Sequence, residues 1–201
     1  MKMRIPYLFL ILLLVAGCST GAGETNDTYV DNPEDSAEEL EVVFLEASWG
    51  RIYNTFDELL EDAELIVVGY IGEMIGVKDD LPTVEYLTDP VTFWELHVEM
   101  VLTPGAKVPD EPLTLRQYGG ILDGVDYRYR DIPPYQSGDR VLLFLVRCTD
   151  DSYIAPNHSA AFLIEDDIVY TFTRRCSNSL ALRNFQPMEL SQLIERHISG
   201  D

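Results

Sequence analysis

Thr92-Phe93-Trp94-Glu95-Leu96-His97-Val98-Glu99-Met100-Val101-Leu102 is the segment that sets the fold class. Trp94, Leu96, Val98, Met100 and Leu102 fall on one side of an extended chain, and Glu95, His97 and Glu99 on the other. The alternation predicts a long β-strand with one face in a core and one in water.

The neighbouring segments read mostly as strands. Upstream, order is expected to begin near Val42-Val43-Phe44. Residues 54–63 then read as a short helix, with Asn54 or Thr55 as cap, Asp57 and Glu58 in the first turn, and Phe56, Leu59, Leu60 and Ala63 on one side. Residues 65–74 carry no polar side chain before Glu73, as expected of a strand buried on both faces, and Gly69 and Gly72 predict a bulge or sharp bend in it. Residues 76–90, with Asp79-Asp80, Pro82 and Asp89-Pro90, predict an exposed connection.

Downstream, Pro104-Gly105 marks a turn, residues 113–118 alternate as a third strand, and Gly119-Gly120 breaks it. Residues 121–130 predict a hairpin turning at Asp123-Gly124. A loop over 133–139 precedes the most apolar run of the folded part, Arg140-Val141-Leu142-Leu143-Phe144-Leu145-Val146, which is expected to be a central strand. Tyr153-Ile154-Ala155 continues briefly. Residues 161–164 and 168–172 form a second hairpin across Glu165-Asp166-Asp167. Residues 187–198 carry apolar side chains at helical spacing, predicting a C-terminal amphipathic helix packed on the sheet. The class is therefore mostly β, with a short N-terminal helix and a C-terminal amphipathic one.

The first residues read as an address. Lys2 and Arg4 form a basic start, residues 8–15 an apolar run too short to span a bilayer, and Ala16-Gly17 the small residues a cleavage site needs. Leu14-Val15-Ala16-Gly17-Cys18 resembles the lipobox of bacterial lipoproteins, which implies that Cys18 becomes the lipid-modified first residue of the mature protein. Several acyl chains on one residue anchor firmly where a single chain holds marginally. Residues 1–17 are thus a lipoprotein signal peptide, 18–40 a flexible acidic tether nearly devoid of apolar residues, and 41–201 one folded domain. The expected location is the cell membrane or outer membrane, lipid-anchored and facing away from the cytoplasm.

The formal net charge is −21, and removing Lys2 and Arg4 with the leader makes the remainder two units more negative. Such a charge excludes nucleic acid and an anionic membrane face as electrostatic partners. Lysine is confined to Lys2, Lys78 and Lys107, and the acids are spread along the chain as on a solvated surface.

Four segments together resemble a known module: Ala-Glu-Leu-Ile-Val-Val-Gly at 63–69, Val-Glu-Met-Val-Leu-Thr-Pro-Gly at 98–105, Leu-Thr-Leu-Arg-Gln-Tyr-Gly-Gly at 113–120 and Ser-Gly-Asp-Arg-Val-Leu-Leu-Phe-Leu at 137–145. Their order is similar to that in exported bacterial lipoproteins of unknown function and in the netrin-like module of tissue metalloproteinase inhibitors. Over residues 63–172 the resemblance implies an OB-like barrel, a small sheet of antiparallel strands closed on itself. The cysteine network of netrin-like modules is missing. Their zinc-chelating N-terminal cysteine corresponds here to a Cys18 that is lipidated and held off by a tether, which argues against inhibition by that route.

With Cys18 lipidated, Cys148 and Cys176 remain as a pair in an exported protein, where a disulfide is the default. No His or third Cys lies at ligand spacing beside them, so metal binding by the two is disfavoured. His97, flanked on one strand face by Glu95 and Glu99, suggests a divalent cation. Same-face residues stand about 6.6 Å apart, however, and rarely converge on one ion, so no metal or other cofactor is expected. No Gly-x-Ser-x-Gly elbow, phosphate loop or His-Glu-x-x-His helix is present.

Tyr127, Arg128, Tyr129, Arg130 and Tyr135 cluster near the hairpin and suggest a partner surface, since Tyr and Arg are favoured at interfaces. Cross-strand pairing accounts for the same residues. The function expected is a non-enzymatic binding or interaction module, held to the membrane through Cys18 and engaging another surface or exported protein. The alternatives are an exported metal-dependent or hydrolytic enzyme, which requires His97 or His158 to meet acids across the barrel, and a purely structural envelope lipoprotein.

Overall fold

The computed structural model describes residues 40–46, 50–79, 89–130, 132–175, 182 and 185–198. The leader, Cys18, the tether and Cys176 lie outside the described residues. In chain order the elements are β1 (Glu41–Leu45), α1 (Phe56–Asp62), β2 (Leu65–Asp79), β3 (Pro90–Val101), β4 (Leu113–Tyr118), β5 (Gly120–Leu122) and β6 (Val125–Tyr129). There follow β7 (Arg140–Arg147), β8 (Tyr153–Ile154), β9 (Ala161–Glu165), β10 (Ile168–Thr171), β11 (Met188–Glu189) and α2 (Leu190–Leu193). No helix among the described residues is long and apolar enough to cross a membrane.

Five strands close into a barrel in the order β2-β3-β4-β8-β7 and back to β2. β2 pairs antiparallel with both β3 and β7, β3 with β4, and β7 with β8. The last contact, β4 with β8, is parallel. A closed ring of five strands cannot alternate in direction throughout, because five is odd, so one parallel pair is required. The expectation of an antiparallel sheet is corrected at this seam, and the closed mostly-β, OB-like barrel stands. β9, β10 and β11 continue the sheet outward from β7.

The barrel explains why β2 and β7 are apolar on both faces. Val67, Ile71, Leu96, Leu115, Val141, Leu143 and Leu145 fill its interior. Ile66, Val68, Leu142 and Phe144 point outward, where α1, Tyr53, Phe162 and α2 cover them. Phe56 and Leu59 of α1 are both buried, each contributing on the order of 2 kcal/mol of hydrophobic transfer. The helix starts where expected: the Thr55 side chain accepts from the Glu58 backbone N–H while the Glu58 carboxylate accepts from the Thr55 N–H, a reciprocal capping box. The C-terminal helix is shorter than its periodicity predicts. It begins at Leu190 rather than near Pro187, because Met188 and Glu189 are drawn into pairing with β10, and it continues from Ile194 to Ile198 as a π-helical turn.

Two corrections concern β2 and β3. Gly76 to Asp79, expected in a connection, extend β2 and pair with residues 90–93 of β3. The alternation of β3 is also broken. Val68 opposes Met100 but Gly69 opposes Val98, so Glu99 is an extra residue that flips the phase of Met100 and Val101 beyond it. Met100 is accordingly 43% exposed, and Val101 takes the inward place beside the barrel interior. A second register shift lies between Ile71 and Met74, so β2 bulges around Gly72 and Glu73. The bends expected at Gly69 and Gly72 are therefore real features of the coil that closes the barrel.

Candidate binding groove

The barrel leaves one strand end without a continuation, and the chain builds the site there. Beyond β4 the chain turns through Gly119 (φ 92°) and Gly120 (φ 137°), a left-handed backbone that side chains rarely adopt. A β-carbon on Gly120 would strike the hydroxyl of Thr92, which itself donates to the Gly119 carbonyl at 2.6 Å. The two glycines press the chain onto β3 and then release it into the hairpin of β5 and β6.

The hairpin turns at Asp123 (φ 49°) and Gly124 (φ 80°), both left-handed as in a type I′ turn. Its outer strand, β6, pairs in parallel with β1 from Glu41↔Val125 to Leu45↔Tyr129. The result is a three-stranded sheet, β1-β6-β5, distinct from the barrel sheet.

Between this small sheet and the barrel wall lies a groove of about 570 Å³. One wall is Phe44 of β1 with Tyr127, Arg128 and Arg130 around β6; the other is Met74, Val77, Trp94 and Gln117 of the barrel. The floor is the loop Ile132 to Tyr135. Gln117, buried, holds that loop at two points: its Nε2 donates to the Pro133 carbonyl and its Oε1 accepts from the Tyr135 N–H, both at 2.9 Å. Arg175 closes one side with its guanidinium forked onto Asp139, both contacts being 2.7 Å.

All five residues singled out in the sequence as a partner surface line this groove, although they play different parts. Tyr135 is only 5% exposed and packs against the ring of Phe172 at 4.9 Å, so it is a support rather than a contact surface. Tyr129 is 8% exposed, lies 6.0 Å from Tyr118, and donates its hydroxyl to Asp89 at 2.7 Å. Burial, then the hydrogen bond to Asp89, raise its phenol well above the ordinary range. Arg128 donates its Nε to Asp126 at 2.8 Å. Tyr127 is half-buried, and Arg128 and Arg130 are exposed. Sequence reasoning missed Phe44, Met74, Trp94 and Arg175, which come from distant parts of the chain and carry no shared local pattern.

The three histidines weighed for catalysis lie in separate parts of the described structure. His97 approaches Glu95 at 3.3 Å, but Glu99 is engaged by Arg140 at 2.8 Å. His158 is buried in a 3-10 turn capped by Asn157, and His197 stacks on Phe56 at 4.9 Å. Among the described residues no group of three His, Cys, Asp or Glu side chains is arranged to hold a metal. Cys148 follows β7 and is half-buried, and Cys176, its expected partner, lies outside the described residues. Compared with protein-family models, curated proteins and solved structures, the chain matches none.

Proposed function

We propose that this chain is a lipid-anchored, extracytoplasmic binding module without catalytic activity, and that the groove between the small sheet and the barrel is where it engages its partner. The observation that carries this reading is the groove itself. It is an open concavity of about 570 Å³, within the range of roughly 300–1,000 Å³ usual for ligand sites, and its walls combine aromatic and arginine side chains typical of recognition surfaces. The sequence address supports the anchoring: the lipobox at residues 14–18 makes Cys18 the attachment point. An exported setting also favours pairing of Cys148 with Cys176, and two alkylatable thiols in the denatured, unreduced protein would exclude that bond.

The functional test is chemical crosslinking of the intact lipoprotein in cells, with mass spectrometry of what remains bound after detergent extraction. A stoichiometric partner that is lost in the Tyr127→Ala and Arg128→Gln variants supports the module. Recovery of the same partner from both variants places the interaction elsewhere on the surface and overturns the groove as its site.

A further inference from the structure

The groove reverses the charge of the protein that carries it. The chain has a net charge of −21, yet Arg128, Arg130 and Arg175 line the groove against one acid, Asp126. Two of these arginines are already occupied: Arg175 by Asp139 and Arg128 by Asp126. Arg130 has no carboxylate partner among the described residues. Its guanidinium lies instead over the ring of Phe44, 5.3 Å from the centroid, a placement that holds the cation at the groove wall while leaving its N–H fork without an acid.

Trp94, half-buried, lines the barrel side of the groove. The remaining surface is apolar and open to water: Phe44, Met74 and Ile121 are 55%, 56% and 51% exposed.

Resting on the groove as the binding site, we infer that the ligand is a small, flat aromatic molecule carrying one carboxylate or sulfonate group, whose anion is held by Arg130 and whose ring lies against Phe44, Trp94 and Tyr127. A planar guanidinium fork matches an oxyanion in two parallel hydrogen bonds. Aromatic walls favour ring faces and edges over branched aliphatic groups. The charge chooses the sign of the ligand, because an acidic protein surrounding a cationic groove repels the same anion everywhere else.

Two probes separate the parts of this inference. 1-Anilinonaphthalene-8-sulfonate is an aromatic sulfonate, and N-phenyl-1-naphthylamine is the same ring system without the charge. Each is titrated into the folded full chain, following energy transfer from tryptophan, with Trp94→Phe separating the signal of Trp94 from that of Trp49. The expected result is one-to-one binding of the sulfonate about tenfold tighter than the neutral probe. Arg130→Gln is expected to erase that difference while leaving the neutral probe unchanged, and added salt to narrow it.

Equal binding of both probes, or an Arg130→Gln variant that keeps the tenfold preference, overturns the anionic ligand but leaves the groove reading intact. Absence of Trp94-dependent transfer from either probe overturns the groove reading as well. Loss of both probes in Arg130→Gln, with an unchanged melting temperature, assigns Arg130 to the shape of the groove rather than to an anion and also overturns the inference.

Discussion

The carbonyl oxygen of His97 on β3 lies so close to the Cα of Gly69 on β2 that no β-carbon fits between them. The contact occurs where the Glu99 bulge draws the two strands together, and the obstructing atoms are backbone, which has nowhere to move. Gly69→Ala is therefore expected to destabilise the fold by about 2–3 kcal/mol through overpacking. A urea denaturation midpoint equal to that of the unaltered protein would show that the strands separate without cost.

Gln117 ties the groove floor to β4 through the Pro133 carbonyl and the Tyr135 N–H. Gln117→Leu keeps the side-chain bulk but orphans both backbone groups in a buried place. The expected loss is about 2–4 kcal/mol, since each unsatisfied buried group costs roughly 1–3 kcal/mol. The same variant is expected to weaken binding of the two naphthalene probes in the groove, measured by the same tryptophan energy transfer. Stability lost with binding unchanged would mean that the loop keeps its shape without the amide.

Asp150 supplies a pH-dependent contribution. Hydrogen bonds from Ser152, and next from Arg116, lower its carboxyl from 3.8 to about 2. A carboxyl whose pKa is depressed by folding contributes stability that is complete above its unfolded value and disappears as pH falls through its folded one. The melting temperature of the unaltered protein is thus expected to exceed that of Asp150→Asn above about pH 4, with the gap closing toward pH 2. A gap of the same size at pH 2 and pH 6 would contradict this origin. The side chain is 45% exposed, so solvent screening keeps the effect small.

Thr55→Ala removes half of the capping box of α1 and is expected to cost about 1 kcal/mol. Because α1 covers the outward face of β2 and β7, the loss should appear in the global unfolding transition rather than as fraying of one helix. Hydrogen exchange that accelerates only within residues 56–62 would show that the helix is not coupled to the barrel.

Much of the fold was legible in local pattern. Residues 113–118, the hairpin at Asp123-Gly124, the central strand from Arg140 and the second hairpin at Asp166-Asp167 all lie where alternation and turn chemistry put them. What was not legible depends on pairing between distant segments. The extra residue Glu99 exposes Met100 because of the register against β2, which composition does not reveal. Gly76 to Asp79 read as loop by residue type and are strand because β3 offers them backbone partners.

The site divides the same way. Tyr127 to Arg130 are neighbours on one hairpin, so their clustering is visible in the sequence. Phe44 reaches them only through the parallel pairing of β1 with β6, and Trp94 only through the path of Gly119-Gly120 back along β3.

The barrel is fastened by a very short clasp. Tyr153 and Ile154 alone bridge β4 on one side and β7 on the other, so a ring whose other seams are five or more pairs long closes through two residues. Slipping that clasp leaves the long strands in register while uncurling them into an open ribbon with the flank of β4 bare. A bare flank of this kind accepts a strand from another molecule. The dipeptide that shuts the barrel is therefore a point at which this protein is vulnerable to unwanted self-association.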